Sequence, residues 1–481
     1  MTLVHLFARR TKAWCVLVVL SAFITATVVP PADSWAFSLS EEKELGRKIL
    51  EKIKEQMPLV EDGEVLTYVQ SVGNRVARQL GVTPYEFQFF VMNQSVPNAF
   101  AIPGGYIFIY RGLIEMMETE GELASILAHE LAHIHARHIQ RRSEEGRILS
   151  VAALAGMLAG IFLGGGSGAG SALAMGSLAG AQSFALKYSR DNESEADQMG
   201  FRFLVDAGYP PQDMVNIMRR ISQAQWLTNS RLPSYLSTHP ALSERIQHLE
   251  DMVKKEKREG GKTARVESLG DFSIMQAALV ADYSDPRRAM DRFSAGVRKN
   301  EPEAVFGLGR LYLRQGNLDG ALTNLQEAAR RKPTSAFVLS SLGAVYHRKG
   351  KLSDAKRVLD TALLMDPAAS IVHFRLALVL RDLGQTEEAL KHLQRIEQLS
   401  PMFPDIDYEM GIILGQVSRI GEAHYYLGRY YEYKQDWRLA VVHYKKARAV
   451  LRDSPQKTAE LDRSLKEAEK RQKEAHQQAR R

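Results

Sequence analysis

One cysteine is all that this 481-residue chain contains, and it lies near the start, at Cys15. No disulfide can form within the chain, and no cysteine cluster can hold a metal. Cys15 sits inside an apolar run that reads as part of an export signal, too early for a lipid-attachment cysteine. The mature protein is therefore expected to carry no thiol, which suits an oxidising compartment such as a bacterial periplasm. Long apolar runs are equally scarce. Ala13 to Val29, at about 1.5 Å per residue, reaches only about 25 Å as a helix, a little short of a bilayer core. Arg9, Arg10 and Lys12 precede it, Pro30 and Pro31 break it, and Ser34-Trp35-Ala36 offers a cleavage site. Residues 1–36 thus read as a signal peptide, with an uncleaved inner-membrane anchor as the rival. Strong charge of one sign is also missing. The net charge is +7, of which Arg9, Arg10, Lys12 and Asp33 account for two. The rest is dispersed and argues against a nucleic-acid partner.

With 45% hydrophobic and 25% charged residues, the composition is that of an ordinary folded protein, and the length allows two to four domains. Ser38–Gln56 reads as a helix with acids in its first turn. Ser40 is followed three positions later by Lys43, so no full capping box is expected. Val65–Leu80 has helical spacing. Tyr85–Asn93 and Tyr106–Tyr110 read as strands, the second entered through Gly104-Gly105, and Leu113–Glu118 and Glu120–Arg142 as helices. Val151 to Leu186 is a pair of apolar arms around the glycine-rich stretch Gly164–Gly170. Neither arm reaches the roughly 20 residues of a spanning helix. The block reads as a buried helical hairpin, as a mobile flap, or as a peripheral membrane-surface contact.

Val253–Arg265 is charged and lacks a core pattern. It places a linker at 253–266, and a fragment ending at Arg265 is expected to fold alone. Beyond it the chain repeats at a fixed interval. Pro333, Pro367 and Pro401 are evenly spaced, as are Gly316, Gly350 and Gly384, and Ala321, Ala355, Ala389 and Ala423. Gly309 and Gly343 continue to Ala377 and Gly411. A period of about 34 residues, with small residues at helix crossings and a closing proline, predicts tetratricopeptide repeats over 267–456. A further pair around Tyr425–Ala447 stands half a period out of register. Residues 457–481 read as a charged, solvated capping helix that frays, or as a tail.

The chemistry centres on Leu123–Arg142, which holds His129, Glu130 and His133, the pattern H-E-x-x-H. Residues four apart share a helix face, so two imidazoles can meet one ion while Glu130 leans over its open position. There it would take the proton of zinc-bound water, whose pKa falls to about 7. His135 and His138 show that this helix is simply rich in histidine, so a third ligand is needed. The metzincin extension would put glycine at position 136 and histidine at 139, where this chain has Ala136 and Ile139. Downstream, Glu193 and Asp197 share one face. Glu193 supplies a metal ligand, and Asp197 an acceptor for the free N–H of a ligand histidine. Glu195 faces elsewhere and is the weaker candidate.

HELAHIHARH, NESEADQMG and STHPALSERI (Ser237–Ile246), with NAFAIPGGYIFIYRGLI (Asn98–Ile114), resemble the zinc endopeptidase family of the CAAX prenyl protease and HtpX. The resemblance covers roughly residues 40–250. It implies an α+β zincin-like peptidase domain over 37–252, with a small sheet and active-site helices, ahead of the all-α repeat solenoid. It also implies one Zn2+ per chain held by His129, His133 and Glu193, Glu130 as base, and outer-membrane β-barrel precursors or their assembly machinery as clients. The signal in front and the repeats behind place the chain with exported members of the family.

His239, just before Pro240, has three open readings: a loop histidine, an oxyanion stabiliser, or a reversible fourth zinc ligand that shuts the site. Arg245 would bind the substrate backbone or the carboxylates. Substrate is expected to lie extended on Tyr106, Ile107, Phe108 and Ile109, paired by main-chain hydrogen bonds. The repeats would hold protein partners on their concave face. The alternative to an active endopeptidase is a repeat-based chaperone or assembly scaffold with a latent, gated site.

Overall fold

The first helix, α1 (Leu39–Gln56), starts at Ser38. Its hydroxyl accepts from the Glu41 backbone N–H at 3.2 Å, and the Glu41 carboxylate accepts from the Ser38 N–H at 2.9 Å. That is a complete capping box, two residues ahead of the serine weighed from the sequence. The computed structural model describes residues 38–144, 188–227, 235, 238–260, 268–399, 404–451 and 455–479. The signal segment 1–36, the block Val151 to Leu186 and residues 261–266 of the linker lie outside the described residues.

Helix α1 lies on one face of a three-stranded sheet made of β1 (Gln88–Met92), β2 (Ala99–Ile102) and β3 (Tyr106–Tyr110), in the order β1-β3-β2. Alternate side chains leave a strand on opposite faces. Phe90, Phe100 and Phe108 meet α1, with Phe108 stacked on both neighbours at 5.0 and 4.8 Å. Phe89, Val91, Ala101, Ile107 and Ile109 enter the larger core, which α2 (Gly63–Ala77) also fills. Two sequence expectations change here. Strand β2 has no counterpart among the strands expected from the sequence, because four residues close after Pro97 carry little strand signal. Strand β3 is central, parallel to β1 and antiparallel to β2. Both its edges are taken, and Ile107, Phe108 and Ile109 are wholly buried. Tyr106, Ile107, Phe108 and Ile109 therefore have no free edge to offer a substrate backbone.

After α3 (Arg111–Met116) comes α4 (Glu120–His135), capped by Thr119, whose hydroxyl accepts from the Glu122 N–H. The expected helix to Arg142 is broken. Arg137 adopts φ 54°, and α5 (His138–Glu144) starts in a new direction. Helices α6 (Arg190–Asp206), α7 (Gln212–Leu227) and α8 (Leu242–Arg258) complete the body that precedes the repeats. The charged stretch from Val253 is thus helical through Arg258, with Val253 itself in the core.

The solenoid consists of antiparallel pairs: α9 (Phe272–Tyr283) with α10 (Pro286–Arg298), α11 (Pro302–Arg314) with α12 (Leu318–Arg331), and α13 (Ala336–Arg348) with α14 (Leu352–Met365). Then follow α15 (Ser370–Asp382) with α16 (Thr386–Leu399), α17 (Pro404–Gln416) with α18 (Ile420–Tyr433), α19 (Trp437–Val450) and α20 (Pro455–Ala479). Gly316, Gly350 and Gly384 end the first helix of their pairs at φ 78°, 69° and 75°, where a side chain would be strained. A Cβ on Gly309, Gly343 or Gly411 would come within 2.6 Å of Leu325, Leu359 or Leu427. The half-period offset has a simple origin. Helix α18 closes one pair and also packs on α19, where Gly428 receives the Tyr444 ring.

The solenoid does not begin as a separate body. Phe272, Met275 and Leu279 of α9 belong to the catalytic core. The Gln276 amide donates to the Ile114 and Met117 carbonyls at 2.9 and 2.7 Å, and Glu120 accepts from the Ser268 hydroxyl at 2.7 Å. A fragment ending at Arg265 would lose all of these contacts, which counts against the expectation that it folds alone. Helix α20 buries Leu461 and Ala468, so it is a packed cap rather than a free tail. Among the described residues, no helix is long and apolar enough to cross a membrane.

Candidate metal centre and active site

Three helices and one loop bring the centre together. Helix α4 is buried from Glu120 to Ile134 and carries His129, Glu130 and His133. Helix α6 brings Glu193 and Asp197 one turn apart, and α8 brings Arg245. His239 enters from the loop before α8, where its backbone N–H donates to the Tyr235 carbonyl at 2.8 Å. All of these side chains are buried.

His129, His133, Glu193 and His239 each offer one donor atom, all within 4.8 Å of one another. The two Nε2 atoms of His129 and His133 are 3.0 Å apart. His239 Nδ1 lies 3.3 Å from His129 Nε2 and 3.0 Å from Glu193 Oε1. Glu193 is 3.6 Å from His129 Nε2 and 3.5 Å from His133 Nε2. A tetrahedral ion with bonds of about 2.0–2.2 Å holds its ligand atoms about 3.3–3.6 Å apart. The donor set, three imidazole nitrogens and one carboxylate oxygen, therefore fits zinc in spacing and in kind. His239 belongs to this set, which leaves the loop-histidine reading aside.

The surroundings are polar and ordered. Arg245 makes a two-pronged contact with Asp197, Nε to Oδ2 and Nη2 to Oδ1 at 2.7 Å each, and its Nη1 abuts Glu193 Oε2. Asp197 Oδ1 in turn lies 3.1 Å from His129 Nδ1, the contact expected of it. Burial opposes ionisation of Asp197, but Arg245 and His129 together outweigh it and hold the carboxyl down to about 2. Burial pushes the His129 imidazole down, yet the Asp197 and Glu193 carboxylates raise it to about 9. Burial drives Glu130 up. Both Glu130 oxygens lack a hydrogen-bond partner, with His239 Nε2 3.5 Å from one of them. Such orphaned buried acceptors mark a place prepared for something else.

Sequence reasoning missed two aromatic supports. Tyr188 stacks on His133 with centroids 3.8 Å apart, and Tyr235 on His239 at 4.4 Å. Neither lies in a motif, and a lone tyrosine gives no local sign of its partner. Glu195 stays out of the donor set, as its helix face implied.

An H-E-x-x-H helix with a third ligand from a downstream helix defines a metallopeptidase of the glutamate-ligand type. The chain belongs to peptidase family M48, whose family model matches residues 65–253; tetratricopeptide-repeat models match 309–350 and 342–401. It is 28% identical over 304 residues to the beta-barrel assembly-enhancing protease of Yersinia pestis, covering 63% of this chain and 62% of that one. It is 27% identical over 309 residues to the protein of that name in Escherichia coli K12, again 63% and 62%. Metalloprotease YcaL of Escherichia coli K12 is 30% identical over 185 residues, 37% of this chain and 68% of that one. The match thus spans 62% of the length of the first two relatives.

Proposed function

We propose that the chain is an exported zinc endopeptidase acting on unfolded or misassembled envelope proteins, recruited through its repeats. The observation that carries this is the orphaned Glu130 carboxylate beside four converging donors. The likeness to the beta-barrel assembly-enhancing protease of Yersinia pestis supports outer-membrane β-barrel precursors as clients. The periplasmic location rests on the signal-like residues 1–36.

Zinc, when bound, supplies a Lewis acid that polarises a peptide carbonyl and acidifies water. His129, His133 and Glu193 would hold it. Asp197 fixes the His129 proton on Nδ1, which leaves Nε2 free to coordinate. Glu130 takes a proton from the attacking water and delivers it to the leaving amine. Arg245 offsets the charge of Glu193 and Asp197, so its role is with the carboxylates rather than the substrate backbone.

His239 favours the second reading, a chaperone or assembly scaffold with a gated site. A catalytic zinc site keeps one position open, whereas a closed set of four protein ligands is inert. With His239 as the fourth donor, the resting state is shut, and a client held on the repeats is the natural trigger. The test is Glu130→Gln in the full chain. It should keep one zinc per chain and lose turnover of an unfolded reporter protein. Turnover near the wild-type rate would overturn the mechanism, and absence of zinc from the wild-type chain would overturn the metal centre.

A further inference from the structure

The two ligand histidines on α4 need the same service: a hydrogen bond at Nδ1 that keeps the proton there and turns the Nε2 lone pair inward. His129 receives it from Asp197. For His133 the motif provides nothing. One more turn of helix α4 would put position 137 over it and leave 138 about 140° away around the axis. The chain does not continue that way. It breaks at Arg137, a non-glycine residue held at φ 54°, a conformation that persists where the surroundings impose it. The break brings His138 back, fully buried, with its Nδ1 2.7 Å from His133 Nδ1.

Two facing nitrogens at that distance require one donor and one acceptor. We infer that His138 and Glu195 form a positioning relay for His133, in which His133 Nδ1–H donates to His138 Nδ1 and His138 Nε2–H donates to Glu195. The second link is present, His138 Nε2 to Glu195 Oε2 at 3.1 Å. Arg141 anchors the far end, with Nη1 and Nη2 3.1 and 3.2 Å from the Glu195 oxygens and Nε donating to the Ala136 carbonyl at 2.7 Å. Helix α6 thus contributes three carboxylates with separate tasks. Glu193 faces the ion, Asp197 supports His129 directly, and Glu195 supports His133 through an imidazole. His138 and Glu195 touch neither substrate nor ion, so their part is to hold the ligand in its tautomer and orientation.

This rests on the metal-centre reading above and is tested on zinc affinity, with the full chain and a competing chelator. His138→Ala should weaken zinc binding about 10- to 100-fold. His138→Asn, whose Oδ1 can stand where Nδ1 accepts, should recover most of the loss. Glu195→Ala, at a half-exposed position, should weaken binding in the same direction and less. The melting temperature of the chelator-stripped protein should be unchanged in all three. Wild-type affinity in both His138→Ala and Glu195→Ala overturns the relay. So does an Asn variant as weak as the Ala variant, or a loss matched by a fall in metal-free melting temperature. A wild-type chain that binds no zinc would sink the metal centre itself, a distinguishable outcome.

Discussion

Two buried arginines organise this molecule, and they are built differently. Arg310, 5% exposed, sits at the seam between the domains. It donates to Glu64 and Asp62 at 2.7 Å, to Ser341 at 3.0 Å and to Asp282, while Arg375 donates to the second Glu64 oxygen at 3.0 Å. Arg245, also 5% exposed, sits at the metal centre. Its partners Asp197 and Glu193 are equally close, but around them the Glu130 oxygens and His239 Nε2 have no hydrogen bond. The first cluster is complete and acts as a joint. The second leaves polar atoms unanswered by the protein and acts as a site. Where buried charge is fully answered it fixes geometry, and where it is left open it marks chemistry.

The largest effect should come from breaking the joint. Arg310→Ala leaves three carboxylates facing one another and should cost about 3–5 kcal/mol, read by denaturant unfolding. A loss below about 1 kcal/mol would mean that the seam is not a joint. A chain ending at Arg265 should be insoluble or molten, and one ending at Ser284, which restores α9, should recover folded signal; equal behaviour of the two would contradict the shared core. At the open cluster the effects move from stability to activity. His239→Ala should raise basal cleavage on the order of tenfold, as expected for removing a lock closed about nine-tenths of the time. A fall with zinc retained would instead make His239 a transition-state stabiliser. The smallest effect belongs to Asp213, whose carboxyl burial and Glu122 push up to about 6. A pKa raised on folding favours the folded state at low pH, and that advantage is lost as pH rises through about 6. Asp213→Asn should therefore gain stability over wild type as pH passes from 4 to 7. A difference that does not change with pH would show that this carboxylate titrates normally.

The parts legible in the sequence are those whose reason is local or periodic. H-E-x-x-H could be read because helical spacing alone puts His129 and His133 on one face. The repeats could be read because each crossing needs a residue as small as Gly309 or Gly343, so the same constraint recurs. What stayed hidden depends on distant partners. Nothing in YIFIY says that it lies between two strands; that follows from a parallel crossover with β1 and a four-residue strand at Ala99–Ile102. The charged run after Val253 gave no sign that α9 would return Phe272 to the catalytic core. His138 looked like surplus histidine because the break at Arg137 has no glycine or proline to announce it.

Gly200 carries one more consequence. It lies two turns beyond Glu193 on α6, and a Cβ there would stand 3.1 Å from the His129 backbone nitrogen and 3.2 Å from the Ala128 carbonyl. The helix bearing the acid ligand and the helix bearing the imidazoles are therefore in backbone contact beside the site. A side chain at position 200 would hold the two helices apart and draw Glu193 away from the imidazoles on α4. A residue without a side chain thus acts as a caliper. It sets the separation between Glu193 and the imidazoles, and with it the reach over which they can share one ion.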